Sequence, residues 1–390
     1  MMILVSSTFL LLLQPTKIIS SPLSFLHQQK VYAVKESITI NKQLLRQDAN
    51  KVHQQLVKSY FIFPSLKAFF GPAEVVNATK QADAAMLSGK WTIQQSRAIA
   101  NEFSSLTKKE NKPSPQMKST RDYYVPISDG KERILLRLYD PGVKQKPSPL
   151  LIYVHGGGWI VGNIDIFDDS IRRLANSSGL MVAAMNYRLA PEHPFPAGLD
   201  DVVSTIRWIT SNGQKIGIDT KKMALGGDSA GANLALSSAL TLRDSNNNKE
   251  HNLFRVLYLM YGPYSPNLLN STSMKKFGGG DFGLTYGQMK YAMSQTFQNA
   301  SDYKNPLAFP LLDKNLTGLS PVYIAAMALD PLKDDSIQLA SRFQQSGQEY
   351  YMAIWPGVAH GALSLIPVTS EIQKYLDAMT IYLKGVLTQS

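Results

Sequence analysis

The sequence predicts an α/β fold, a mostly parallel sheet covered by helices. Two observations carry that reading. From Tyr123 onward, apolar runs of strand length alternate with helical patterns, the rhythm of parallel strands joined by crossover helices. Between one such strand and one such helix stands Gly227-Asp228-Ser229-Ala230-Gly231. A Gly-x-Ser-x-Gly in that position is a strand-to-helix turn sharp enough to raise a serine hydroxyl above a sheet.

The strand runs are residues 133–139, 150–155, 181–186, 223–226, 254–260, 322–328 and 350–355. The helical runs are 167–178, 198–211, 230–242, 286–297, 334–346 and 370–387. Residues 265–316 exceed an ordinary crossover and contain Gly278-Gly279-Gly280, so they read as part of a lid over the sheet edge.

Upstream the character changes. Residues 30–115 are rich in Lys and Gln, with helices expected at 40–60 and 92–107 and breaks at Pro64, Gly71 and Pro72. Residues 108–119, with Pro113 and Pro115, read as a linker. The expected organisation is an N-terminal hydrophobic segment at 1–20, a basic helical region and linker at 21–119, and a main domain at 120–390. There is no internal repeat.

Composition narrows the classes. An apolar fraction of 44% with 18% charged residues over 390 positions describes a globular chain. There is no cysteine, which excludes disulfides, thiolate metal sites and a cysteine nucleophile. The net charge of +11 is concentrated upstream: residues 30–121 hold 15 Lys/Arg against 6 Asp/Glu, and residues 122–390 hold 24 against 23. A near-neutral main domain argues against nucleic acid. The basic segment is either a solvated lysine-rich face or a weak contact for an anionic membrane surface. The 11-residue apolar run at 3–13 is short for a bilayer span and fits a signal-peptide core. Export is therefore expected. An uncleaved anchor, or a misassigned start and a cytoplasmic protein, is the alternative, because no Lys or Arg precedes the run and Ile18-Ile19-Ser20 is a poor cleavage site.

Ser229 needs a base, since an isolated hydroxyl is not ionised at neutral pH. Of six histidines, His360 in Pro356-Gly357-Val358-Ala359-His360-Gly361 directly follows a strand run, on a loop that can reach the serine. His27 and His53 lie upstream, His251 lies in an Asn-rich loop, and His193 sits between prolines. The base needs a carboxylate to fix its tautomer. Asp330 comes first after the run 322–328, ahead of its rivals Asp334 and Asp335, which suit a helix N-terminus. His155-Gly156-Gly157-Gly158, also behind a strand run, offers backbone donors for an oxyanion. The expected donors are the N–H groups of Gly156, Gly157 and Ala230, with His155 as scaffolding. The loop is not a dinucleotide fingerprint, because Val161 stands where the third glycine belongs.

Together these stretches, with Tyr187-Arg188-Leu189-Ala190-Pro191-Glu192-His193-Pro194-Phe195-Pro196-Ala197, resemble the hormone-sensitive lipase family of α/β-hydrolases, the esterases and lipases with a His-Gly-Gly-Gly loop. The resemblance spans residues 120–387. It implies the α/β-hydrolase fold with a helical cap built from N-terminal helices and the central insertion. It also implies Ser229 as nucleophile, His360 as base and Asp330 as orienter. The expected activity is hydrolysis of short- to medium-chain carboxylic esters through an acyl-enzyme, with no metal or cofactor. An amidase or peptidase would use the same triad. A non-catalytic ligand receptor on this fold would be expected to lack the histidine. Phe277, Phe282, Tyr286, Met289, Tyr291, Met293 and Phe297 either line an acyl pocket or pack on the sheet.

Overall fold

Six of the apolar runs become consecutive parallel strands at the centre of a nine-stranded sheet in the computed structural model. It describes residues 38–40, 73–109, 113–127, 130, 132–247, 250–365 and 370–388, all within the unit Glu36–Ser390. The elements in chain order are β1 (Ile38–Ile40), α1 (Ala73–Leu87), α2 (Ile93–Lys109), β2 (Ser119–Ile127), β3 (Glu132–Asp140), β4 (Ser148–Val154), α3 (Ile164–Ser178), β5 (Met181–Met185), α4 (Ala197–Asn212), β6 (Ile218–Asp228), α5 (Ala230–Arg243), β7 (Val256–Met260), α6 (Thr272–Phe277), α7 (Tyr286–Thr296), β8 (Val322–Met327), α8 (Lys333–Ser346), β9 (Tyr350–Trp355) and α9 (Ser370–Thr388). Short 3₁₀ turns fill several connections.

The strand order is β1-β9-β8-β7-β6-β4-β5-β3-β2. Strands β5, β4, β6, β7, β8 and β9 run parallel; β3, β2 and β1 are antiparallel to their neighbours. Every residue of β4, β5, β7 and β8 is buried, as expected of strands covered on both faces by helices. One apolar core lies on each side of the sheet. Helix α3 shows how local chemistry sets the boundaries. Asn163 caps its start by accepting from the Ile166 N–H, and Gly179 at φ 63° ends it in the left-handed conformation.

Four elements, β1, β2, α1 and α6, differ from expectation. Strand β2 extends the sheet by a nine-residue ladder with β3 where a linker was expected to end. Its sequence Ser-Thr-Arg-Asp-Tyr-Tyr-Val-Pro-Ile is largely exposed until its last residues, so it lacks the apolar run of a central strand. Helix α1 was not expected; Pro72, read as a breaker, directly precedes it and suits a helix start. The helix expected at 40–60 lies outside the described residues except Ile40, which ends β1. The apolar run at 3–13 lies outside them entirely. Within the insertion, Thr285 and Gln288 form a reciprocal capping box at the start of α7. One residue inside α7, Gly287 donates its N–H to Asp83 Oδ1 of α1 at 2.6 Å. A methyl group on Gly287 would lie 2.3 Å from that oxygen, so a glycine is what lets the N-terminal helix and the insertion meet.

Candidate active site

Ser229 occupies the single residue between β6 and α5, with φ 53° and ψ −125°. A positive φ in a non-glycine residue is strained and persists only where the surroundings enforce it. Here the Ser229 N–H is fixed to the Met260 carbonyl at 2.8 Å. The flanking glycines admit the turn. A methyl at Gly227 would sit 2.4 Å from the Val154 oxygen, and one at Gly231 only 2.0 Å from it.

The connections after β8 and β9 bring the other two side chains to the serine. His360 Nε2 lies 2.9 Å from Ser229 Oγ, and His360 Nδ1 lies 2.9 Å from Asp330 Oδ2. Asp330 is an acceptor, so Nδ1 carries the proton and Nε2 is left to accept from the serine hydroxyl. The other Asp330 oxygen accepts the Leu332 N–H at 2.7 Å, and the residue is fully buried. Tyr261 sets its ring edge-on to the His360 imidazole at 5.2 Å. The rivals face elsewhere. Asp334 Oδ2 accepts from the Ser273 N–H, and Asp335 Oδ2 accepts from the N–H groups of Tyr264 and Ser265.

The glycine loop requires one correction. Gly156 was expected to aim its N–H into the site, but that N–H donates to Asp228 Oδ1 at 2.8 Å. The backbone then turns through Gly157 at φ 115° and Gly158 at φ 58°. Among the described residues no acceptor faces the N–H groups of Gly157, Gly158 or Ala230. The N–H groups left open here are therefore those of Gly157, Gly158 and Ala230, while that of Gly156 is taken. Three successive glycines give no side-chain pattern from which the orientation of each peptide can be read.

His155 is confined to the scaffold. Its Nδ1 donates to the Gly156 oxygen at 2.7 Å, and its ring stacks on Tyr187 at 4.3 Å. Burial pushes its pKa down to about 4, which keeps it neutral. Tyr187 also donates its hydroxyl to the His155 carbonyl. Arg188, next in the chain, is fixed by the fully buried Asp201 through both guanidinium and backbone N–H. The Tyr187–Ala197 stretch thus braces the glycine loop from behind. Of the apolar residues in the insertion, Met289, Met293 and Phe297 pack in one core and Phe277 in the other. For these four, packing is the observed role.

Asp228 was not expected to matter. Fully buried, it accepts from the Tyr153 hydroxyl and the Gly156 N–H, with the Tyr261 hydroxyl 3.4 Å from its second oxygen. Burial raises its pKa and these donors oppose that rise. It stands inside the Gly-x-Ser-x-Gly motif, but the motif does not say which way its side chain turns.

A serine hydroxyl bonded to an imidazole, a buried carboxylate behind it and free N–H groups beside it form a constellation able to carry out acyl transfer. A family model described as "alpha/beta hydrolase fold" matches residues 151–364. An acetyl esterase from Salmonella schwarzengrund is 34% identical over 254 residues, 65% of this chain and 76% of the relative. Among solved structures, an esterase from Pyrobaculum calidifontis superposes with a TM-score of 0.69 at 30% identity, covering 75% of this chain and 93% of that one. A thermostable carboxylesterase from a metagenomic library superposes with a TM-score of 0.71 at 28% identity, covering 77% and 99%. The chain belongs to the α/β-hydrolases, in the hormone-sensitive-lipase-like family.

Proposed function

We propose that this protein is a carboxylic ester hydrolase in which Ser229, His360 and Asp330 act as a catalytic triad. The observation that carries the reading is the continuous hydrogen-bonded chain from Ser229 Oγ through His360 to Asp330, 2.9 Å at each step. Ser229 attacks the ester carbonyl while His360 Nε2 takes its proton. The new oxyanion lies against the N–H groups of Gly157, Gly158 and Ala230, each such donor being worth roughly 3–4 kcal/mol. His360 returns the proton to the departing alcohol. Water, deprotonated by His360, then attacks the acyl-serine, and Ser229 leaves with that proton. The relatives named acetyl esterase and carboxylesterase support ester over amide bonds and short acyl groups. Helices α1, α2 and α7 act as the cap that limits acyl length.

A chain-length series of p-nitrophenyl esters tests the reading, run with wild-type protein and Ser229→Ala. Turnover highest on acetyl to hexanoyl esters and lost in the folded Ser229→Ala variant is expected. Undiminished turnover by that variant rejects the triad.

A further inference from the structure

We propose that Asp228 is a positioning residue: its carboxylate fixes the glycine loop to the nucleophile turn and so sets the distance between Ser229 and the donors that face the oxyanion. The inference rests on the ester-hydrolase reading and goes beyond it to a residue that neither attacks nor transfers a proton.

The geometry points to Asp228 from three directions. It precedes Ser229 in the chain, so its backbone moves with the nucleophile. Its Oδ1 takes the Gly156 N–H at 2.8 Å, which anchors the first peptide of the loop whose next two N–H groups are free. The contact is tight on both sides. A methyl at Gly156 would lie 2.7 Å from Asp228 Oδ2 and 3.0 Å from the Asp228 carbonyl oxygen. The first glycine of the loop is therefore needed for docking onto this carboxylate. The same Oδ1 accepts the Tyr153 hydroxyl, from the strand that leads into the loop. Oδ2 faces the Tyr261 hydroxyl at 3.4 Å, and that hydroxyl accepts the Leu363 N–H at 3.1 Å, three residues beyond His360. Tyr261 also holds its ring against His360. Nucleophile, glycine loop and base loop thus meet at one buried side chain.

A carboxylate buried this completely is unfavourable unless hydrogen bonds replace its hydration. Tyr153, Gly156 and Tyr261 supply that replacement. An apolar side chain would fill the space without the cost, so packing alone does not account for the group. What the carboxylate adds is a fixed acceptor for Gly156. Loss of that acceptor frees the loop, and a displacement of about 1 Å in an oriented donor lowers a rate by roughly 100-fold. The loss falls on the transition state, where the oxyanion forms, and not on ground-state binding.

The test compares wild type, Asp228→Asn and Asp228→Ala on p-nitrophenyl acetate. Active sites are counted by titration to completion with a p-nitrophenyl phosphonate, so misfolded protein does not enter kcat. The Asn variant keeps an acceptor oxygen for Gly156 and Tyr153, and its amide can donate to the Tyr261 oxygen. Its kcat per titrated site is expected within roughly fivefold of wild type. The Ala variant is expected to lose roughly 100-fold in kcat with KM within about threefold. Its Ki for an alkyl trifluoromethyl ketone, which forms a tetrahedral oxyanion on the serine, should rise in step with the fall in kcat/KM.

Wild-type kcat in Asp228→Ala, a loss confined to KM, or an equal loss in both variants overturns the proposal. If Asp228→Ala does not fold, Tyr153→Phe replaces it. Removing one anchor of the carboxylate should lower kcat roughly threefold to tenfold at unchanged KM, and an unchanged kcat counts against the proposal. Failure of the ester-hydrolase reading looks different, because wild-type protein itself would then neither turn over the ester nor take up the phosphonate.

Discussion

Arg97 of α2 holds Glu192 with two parallel hydrogen bonds of 2.9 and 2.7 Å, and the same guanidinium donates to the carbonyls of Ile160 and Ala190. One N-terminal side chain therefore ties α2 to the segment just after the glycine loop and to the Tyr187–Ala197 stretch. The pair is partly exposed, 34% and 48% by side chain, so its electrostatic worth is largely screened. Arg97→Ala is expected to cost about 1 kcal/mol of global stability by denaturant titration. Its larger effect is local: amide exchange in α2 should quicken more than in the central strands. The charge-swapped double variant, Arg97→Glu with Glu192→Arg, should restore part of the protection. Equal exchange in wild type and Arg97→Ala would mean that other contacts dock α2. The Arg97 guanidinium holds Glu192 below the usual carboxylate range. This contribution is present above the ordinary glutamate pKa and fades as pH falls through the lowered value.

Two glycine substitutions should have opposite signs. Gly231→Ala places a methyl 2.0 Å from the Val154 oxygen and 2.5 Å from the His155 oxygen. Both atoms are backbone, so no side-chain rotation relieves the clash. A loss of more than about 3 kcal/mol, or failure to accumulate folded protein, is expected. Gly385 lies within α9, and a Cβ added there would meet nothing within 4 Å outside the helix's own backbone. Gly385→Ala should gain about 0.5–1 kcal/mol from the lower entropy of the unfolded chain. Calorimetric melting of both variants checks the pair.

The central strands and their crossover helices were legible because unbroken apolar runs signal burial on both faces, and the bounds of β9 were read without error. Ser229, His360 and Asp330 were legible because each follows a recognisable strand, and the structure brings all three within hydrogen-bond reach. Strand β2 was not, because it faces solvent along most of its length and its first four residues are polar. The direction of a peptide N–H leaves no trace in sequence, so Gly156 and Gly158 could not be told apart. Asp228 was hidden for a related reason: a carboxylate at a strand end reads as a solvent-facing group until its buried partners, Tyr153 and Tyr261, are placed around it.

Asp330→Asn tests the orienting role of the proposed triad. The amide would offer His360 Nδ1 either a donor or an acceptor, and the donor orientation favours the tautomer that places the proton on Nε2, facing Ser229. A loss of roughly 10³- to 10⁴-fold in kcat is expected with the fold retained. An asparagine variant within tenfold of wild type would move the orienting role elsewhere. Asp334 and Asp335 are poor substitutes, since both are occupied by the backbone of residues 264–273.

Asp335 makes the last prediction, and it concerns pH. The side chain is buried, Oδ2 accepts two backbone N–H groups, and Oδ1 has no partner among the described residues. Burial raises its pKa to about 7, with the two N–H groups opposing the rise. A neutral carboxyl with its proton on Oδ1 fits that environment. Because the folded pKa is raised above the unfolded value, the folded state binds the extra proton between about pH 4 and pH 7. Stability from this group is full below the unfolded pKa and is lost as pH rises toward 7, by about 1.4 kcal/mol per pH unit. Asp335→Asn keeps an acceptor for Tyr264 and Ser265 and cannot ionise. The stability of the Asn variant minus that of wild type should therefore climb from pH 5 to pH 7 and level off above it, with other titrating groups cancelling in the difference. Denaturant unfolding of both proteins at half-unit pH steps measures this directly. A difference that stays flat across that window would show the carboxylate to be charged in the folded protein, and the donors at Tyr264 and Ser265 to outweigh burial.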